Sequence, residues 1–141
     1  MTIQRFIDAQ KTSHRQVMKE LRRGEKVSHW MWFTFPQIVG LGFSPISQYY
    51  EIQDMDELRD FVENKYLAKN LKACINAILK LKTNDPVEVF GEIDAIKLKS
   101  SMTLFSRTPE FGNLAKQVLD KYFDGDFDKN TLGILQRMEV R

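Results

Sequence analysis

Cysteine and histidine are nearly missing from this chain. It holds one cysteine, Cys74, and two histidines, His14 and His29. A single thiol forms no disulfide within the chain and no CxxC zinc site, and two histidines are too few for an ordinary catalytic metal centre. The sequence therefore predicts no metal and no cofactor. Long apolar runs are absent as well: no stretch reaches the roughly 20 residues that span a bilayer. The amphipathic start, Met1 to Gln10, lacks the apolar run of a signal peptide. No membrane partner is expected, and the expected location is the cytoplasm.

Charge of one sign is scarce too. The 21 basic and 19 acidic residues leave a net +2, which disfavours nucleic acid as a partner. The local basic stretch Lys19, Arg22, Arg23 and Lys26 reads most simply as cations at the negative end of a helix dipole. Gly40-Leu41-Gly42 lacks the downstream glycine and lysine of a phosphate loop, and no G-x-S-x-G elbow occurs. Asp124, Asp126 and Asp128 alternate, but the glycine and the terminal glutamate of a calcium loop are misplaced. They read as a turn followed by a helix cap.

What is present is the composition of a globular chain: 43% hydrophobic and 28% charged residues over 141 positions, the size of one domain, 1–141. The periodicities predict an all-α, compact, multihelical fold. Ile3, Phe6, Ile7, Val17, Met18 and Leu21 follow helical spacing with a weaker middle turn, between a Thr2 cap and a Gly24 stop. Ser28 is a candidate cap for a short helix in the aromatic run that follows, and Pro36 disfavours helical geometry at Phe35. Ser44-Pro45 and Asp85-Pro86 are caps followed by a favoured first helical residue. Asp54 with Glu57 resembles a capping box. Leu67, Leu71, Cys74, Ile75 and Ile78 mark one helical face, with Cys74 in the core. Thr108-Pro109 should open a helix that ends at Gly125, and Asp128 should cap the last one. No alternating run is long enough for a strand.

Two constellations bear on chemistry. On a helix over Glu92 to Phe105, Ile93, Lys97, Ser100 and Leu104 fall on one stripe and Asp94, Leu98, Ser101 and Phe105 on the next. Ala95, Lys99 and Met102 point elsewhere. This puts Lys97 and Asp94 within the apolar face. A charge there must be paired, snorkel to water or serve a site. Asp94 and Lys97, three residues apart, suit an ion pair. They equally suit an anion or sugar site with Ser100 and Ser101 as hydrogen-bond donors. The second constellation is His29-Trp30-Met31-Trp32-Phe33-Thr34-Phe35-Pro36-Gln37. Such a run is most simply core packing. Its flat rings also suit a ring-bearing ligand, with His29 as an acid–base group and Gln37 reading a polar edge. His14, without partners in view, reads as surface.

The strings Lys26-Val27-Ser28-His29-Trp30-Met31-Trp32-Phe33-Thr34-Phe35-Pro36-Gln37, Gly40-Leu41-Gly42, Phe90-Gly91-Glu92-Ile93-Asp94 and Lys97-Leu98-Lys99-Ser100-Ser101-Met102-Thr103-Leu104-Phe105 are long and specific. Through them the chain resembles, over nearly its whole length, the family catalogued as domain of unknown function 1810. Some members of that family carry a calpastatin label. Calpastatin-type inhibitors resemble long disordered chains, whereas this one is core-rich. The resemblance implies a compact multihelical fold and supplies no activity. Its signature coincides with both constellations.

The expected function is therefore a small-ligand pocket for a nucleotide-like or other anionic metabolite. His29, Asp94 and Lys97 are the candidate catalytic groups if the protein is an enzyme. Lys26, Trp30, Trp32, Gln37, Ser100 and Ser101 are the candidate ligand-binding residues. The alternative is a protein–protein interaction module without a small ligand, marked by an exposed apolar patch and no pocket.

Overall fold

Caps written into the sequence set most of the helix starts. The computed structural model describes residues 2–139. Met1, where the N-terminal reading begins, lies outside them, as do residues 140–141. Among the described residues the chain is all-α: α1 (Gln4–Arg23), α2 (Met31–Thr34), α3 (Pro45–Tyr49), α4 (Met55–Glu63), α5 (Lys65–Leu79), α6 (Pro86–Phe90), α7 (Glu92–Phe105), α8 (Gly112–Phe123) and α9 (Lys129–Glu139). Ser44 accepts a hydrogen bond from the Ser47 amide, and Asp85 from the Val87 amide, each ahead of a proline at the first helical position. Asp54, Asn64 and Asp128 do the same for α4, α5 and α9. Each side-chain oxygen satisfies an amide that the first turn leaves without a partner. α1 ends at Gly24, whose left-handed φ of 81° lets its amide return to the Glu20 and Leu21 carbonyls.

Four local expectations are corrected. Ser28 does not cap α2. That helix begins after Trp30 without a side-chain cap, because the Ser28 hydroxyl is taken by Glu20. The segment at Thr108-Pro109 forms a turn, closed by the Thr108 hydroxyl accepting from the Phe111 amide, and α8 starts only at Gly112. α8 ends at Phe123, one residue before Asp124, which adopts a left-handed φ of 54°. Glu57 does not close the capping box on Asp54: its carboxylate accepts from the Gln53 amide and pairs with Arg5.

α1 packs on α2 and α5, α5 also on α4 and α8, and α7 on α6, α8 and α9. The expected facing of α7 is corrected as well. Ala95 and Met102, expected off the apolar face, are buried, and Ile93, expected on it, is 71% exposed. The reason lies in the composition. From Leu98 to Phe105 the helix is buried on all sides apart from half-buried Lys99, so its apolar residues point everywhere and carry no phase. Only its first turns reach the edge of the fold. Among the described residues one isolated parallel bridge, Ile38 to Ile52, ties the segment after the aromatic run to the segment between α3 and α4.

Candidate functional site

The aromatic run is shaped by a buried glutamate. Glu20, on the core face of α1, is fully buried. Its carboxylate accepts five hydrogen bonds: from the Val27 amide (2.6 Å), the Ser28 amide (2.9 Å), the Ser28 hydroxyl (2.6 Å), the Trp30 indole (3.0 Å) and Gln16 (2.8 Å). Burial by itself pushes the Glu20 carboxyl upward. The bonds from Ser28, Gln16 and Val27 together outweigh it and hold the group well below the usual carboxylate range. One α1 side chain thus folds residues 27–30 against the helix and gives the buried indole nitrogen of Trp30 its acceptor.

Beside this tie sits the predicted charge pair, joined by a third member. Lys26 Nζ is 2.9 Å from Asp94 Oδ2 and 2.6 Å from the Ser28 carbonyl, and lies 5.0 Å from the centre of the Trp30 ring. Lys97 Nζ is 3.7 Å from Asp94 Oδ1 and lies 5.3 Å from the centre of the Trp32 ring. Two ammonium groups therefore share one carboxylate and each faces an indole. The cluster carries a net positive charge, and it fastens the aromatic run to the first turns of α7.

The predicted site residues separate into two groups. Lys26 and Trp30 are built into the fold by the contacts just given. Ser100 and Ser101 are buried; the Ser100 hydroxyl donates to the Ile96 carbonyl, and Ser101 Oγ has no partner among the described residues. Trp32, Gln37, Asp94 and Lys97 are half-buried and His29 is exposed. His14 is half-buried rather than a plain surface residue. Burial, then Arg22 and Lys69, lower its pKa. Cys74 lies in the core, where burial pushes its thiol up to about 12.

Solvent meets apolar side chains around this cluster. Val27, next to Lys26, is 62% exposed. Ile96, between Asp94 and Lys97, is 64% exposed, and Ile93 adjoins Asp94. Among the described residues, five of the best-formed surface clefts are built by other residues, and none of these five is lined by His29, Trp32, Asp94 or Lys97.

The polar residues that shape the site were not among the sequence candidates. Glu20 is one. Glu51 is another: its carboxylate accepts from the Leu41 and Gly42 amides at 3.0 and 2.7 Å. Gln10 donates to the Phe33 carbonyl and accepts from Asn70, which pins the aromatic run from behind. A signal for Gln10 existed: it falls on the apolar stripe of α1 and occupies its weak middle turn.

An all-α chain whose aromatic run is tied to one helix by a buried carboxylate and to another by a shared ion pair has close relatives. The chain belongs to the family described as a protein of unknown function, DUF1810, which matches residues 1–135. It is also similar to a conserved hypothetical protein of Mycobacterium tuberculosis, known from its crystal structure. The two are 37% identical and superpose with a TM-score of 0.92 over 95% of this chain and 96% of that one. No curated protein matches the chain. Among the described residues no helix is long and apolar enough to cross a membrane.

Proposed function

We propose that this protein is an interaction module, acting in the cytoplasm, that docks a protein partner on the face formed by Val27, His29, Trp32, Ile93, Ile96 and Lys97. One observation carries the reading: Ile93 and Ile96 stand out into water on α7, beside the Lys26–Asp94–Lys97 cluster that fastens the aromatic run to that helix. Large aliphatic side chains left exposed on the helix whose Lys97 faces half-buried Trp32 make a patch that water favours covering. The net positive charge of the Lys26–Asp94–Lys97 cluster selects the partner's chemistry: an aliphatic ridge with a carboxylate placed for Lys97. The aromatic run supplies rigidity more than contact, since Trp30, Phe33 and Phe35 are buried.

A displayed peptide library panned on the wild-type chain tests this. Enriched peptides should combine aliphatic and acidic residues. They should bind the Ile93→Ser/Ile96→Ser double variant at least about tenfold more weakly, at an unchanged melting temperature. Absence of enrichment, or equal binding to the double variant, contradicts the reading.

The same face supports a second reading, a small anionic, nucleotide-like ligand. Its favouring observation is Lys97 poised over Trp32 with exposed His29 nearby in the chain. Here Lys97 holds the anion, Trp32 meets a ring, and His29 or Asp94 is the proton-transfer group. An anionic metabolite that raises the melting temperature of the wild type but not of Lys97→Ala would favour this reading over docking.

A further inference from the structure

Away from that face, the Gly40–Phe43 loop and α9 enclose a cleft of about 360 Å³ lined by Gly40, Phe43, Lys129, Gly133, Ile134 and Arg137 among others. Three observations set it apart. The first is Phe43, whose ring is 96% exposed, the most exposed large hydrophobic side chain among the described residues. It does not stand on a loose loop. The two preceding amides, of Leu41 and Gly42, are bound by buried Glu51, and the next residue, Ser44, caps α3. Gly42 itself admits no side chain: a Cβ there would lie 2.2 Å from Ser47 Oγ and 2.8 Å from Ser47 Cβ. The backbone of residues 41–44 is thus held in place, and it presents the Phe43 ring where a bound group would cover it.

The second observation is charge. The lining contains Lys129 and Arg137 and no carboxylate, and among the described residues neither cation has an ion-pair partner. The cleft between α4 and the Arg107–Glu110 turn balances its arginines with Glu63 and Glu110, and the one between α1 and α5 has Arg22 and Lys80 but no ring. The cleft lined by Arg107, Lys116 and Phe127 shares the ring and the two cations, but there Lys116 is paired with Asp120 and Phe127 is only 36% exposed.

The third observation is the floor. Gly133 lies within α9, where glycine costs about 1 kcal/mol relative to alanine. Packing does not require it. A Cβ there would make only an ordinary contact, 3.6 Å from Arg137 Nη1. The guanidinium therefore folds back along α9 over a residue without a side chain. On the facing wall Gly40 closes on Ile134, with 3.5 Å from its Cβ position to Ile134 Cδ1.

We infer that this cleft binds a mononucleotide-sized anion. Phe43 stacks on its planar ring, and Arg137 with Lys129 holds its phosphate. A guanidinium meets a phosphate through paired N–H donors, and base-on-aromatic stacking tolerates any base because every base has a π-face. The site is independent of the docking face.

Calorimetric titration of the full chain with AMP, GMP, CMP and UMP, and with adenosine and inorganic phosphate, tests the inference. At least one nucleotide should bind, and both adenosine and phosphate alone should bind at least about tenfold more weakly. Phe43→Ala and Arg137→Gln should each weaken nucleotide binding by about tenfold or more at an unchanged melting temperature. Gly133→Leu, which fills the floor without altering charge, should abolish it. The Ile93→Ser/Ile96→Ser variant should bind nucleotide as the wild type does. Failure of all four nucleotides to bind, phosphate binding as tightly as the nucleotides, or binding indifferent to Phe43 and Arg137 overturns the inference. Loss of binding in the Ile93→Ser/Ile96→Ser variant would move the nucleotide to the other face and also overturn it.

Discussion

Two stretches of this chain, residues 27–35 and 40–43, are gathered by one device and put to opposite uses. In each, a buried glutamate collects consecutive loop amides: Glu20 those of Val27 and Ser28, Glu51 those of Leu41 and Gly42. In the first stretch the rings of Trp30, Phe33 and Phe35 turn inward. Trp30 and Phe35 meet Phe90 edge-on, at centroid distances of 6.5 and 6.1 Å, and close the core. In the second, the one ring turns outward and touches almost nothing. Aromatic density along a sequence therefore marks where rings are, not where they act. Trp30, Phe33 and Phe35 build the interior and Trp32 lies at its edge, while the lone Phe43 stands ready for contact.

Phenylalanine truncation gives the largest contrast. Phe35→Ala should cost about 3–5 kcal/mol, because it empties a packed position between Trp30 and Phe90. Chemical denaturation measures it, and a loss under about 1 kcal/mol would mean the ring is not core. Glu20→Ala should cost about 3 kcal/mol or more. It strands the Trp30 indole and two loop amides, each carrying the penalty of a buried unsatisfied donor, and near-UV dichroism should report the freed indole. Glu51→Ala should cost less, about 1–2 kcal/mol, since its two amides lie at the surface side of the loop. Its sharper effect should be on the loop, seen as lost amide protection at Leu41 and Gly42. Phe43→Ala comes last, at within about 0.5 kcal/mol. A clear destabilisation there would show that the ring packs in solution and would erase the comparison.

Much of the helical framework was legible because caps are local. Ser44-Pro45, Asp54, Asp85-Pro86 and Asp128 each act within three residues, and a linear sequence displays that directly. The ion pair of Asp94 with Lys97 was legible for the same reason. Lys26 was among the candidates, but its pairing with Asp94 was not foreseen, because it reaches across 68 positions of sequence. The two gathering glutamates were hidden by distance too, 7–10 residues from their loop partners and across a helix end. Exposed Ile93 of α7 was misplaced for a different reason. A helix apolar on all sides gives periodicity nothing to lock onto, so burial there is decided by which neighbours arrive. Ser100 and Ser101 were placed on the apolar stripes, and both are buried.

The account turns on Glu20 holding the aromatic run to α1 as a charged, fully bonded carboxylate. Its pKa in the folded chain lies below its ordinary value of 4.5. The stability it contributes is therefore complete above that value and is lost as pH falls through the depressed one. Amide hydrogen-exchange protection at Val27 and Ser28, measured as a function of pH and corrected for intrinsic rates, tests this most directly. The account predicts strong protection at neutral pH that persists below 4.5 and collapses only in stronger acid. Rapid exchange at neutral pH, or protection lost where an ordinary glutamate takes up its proton, would contradict it.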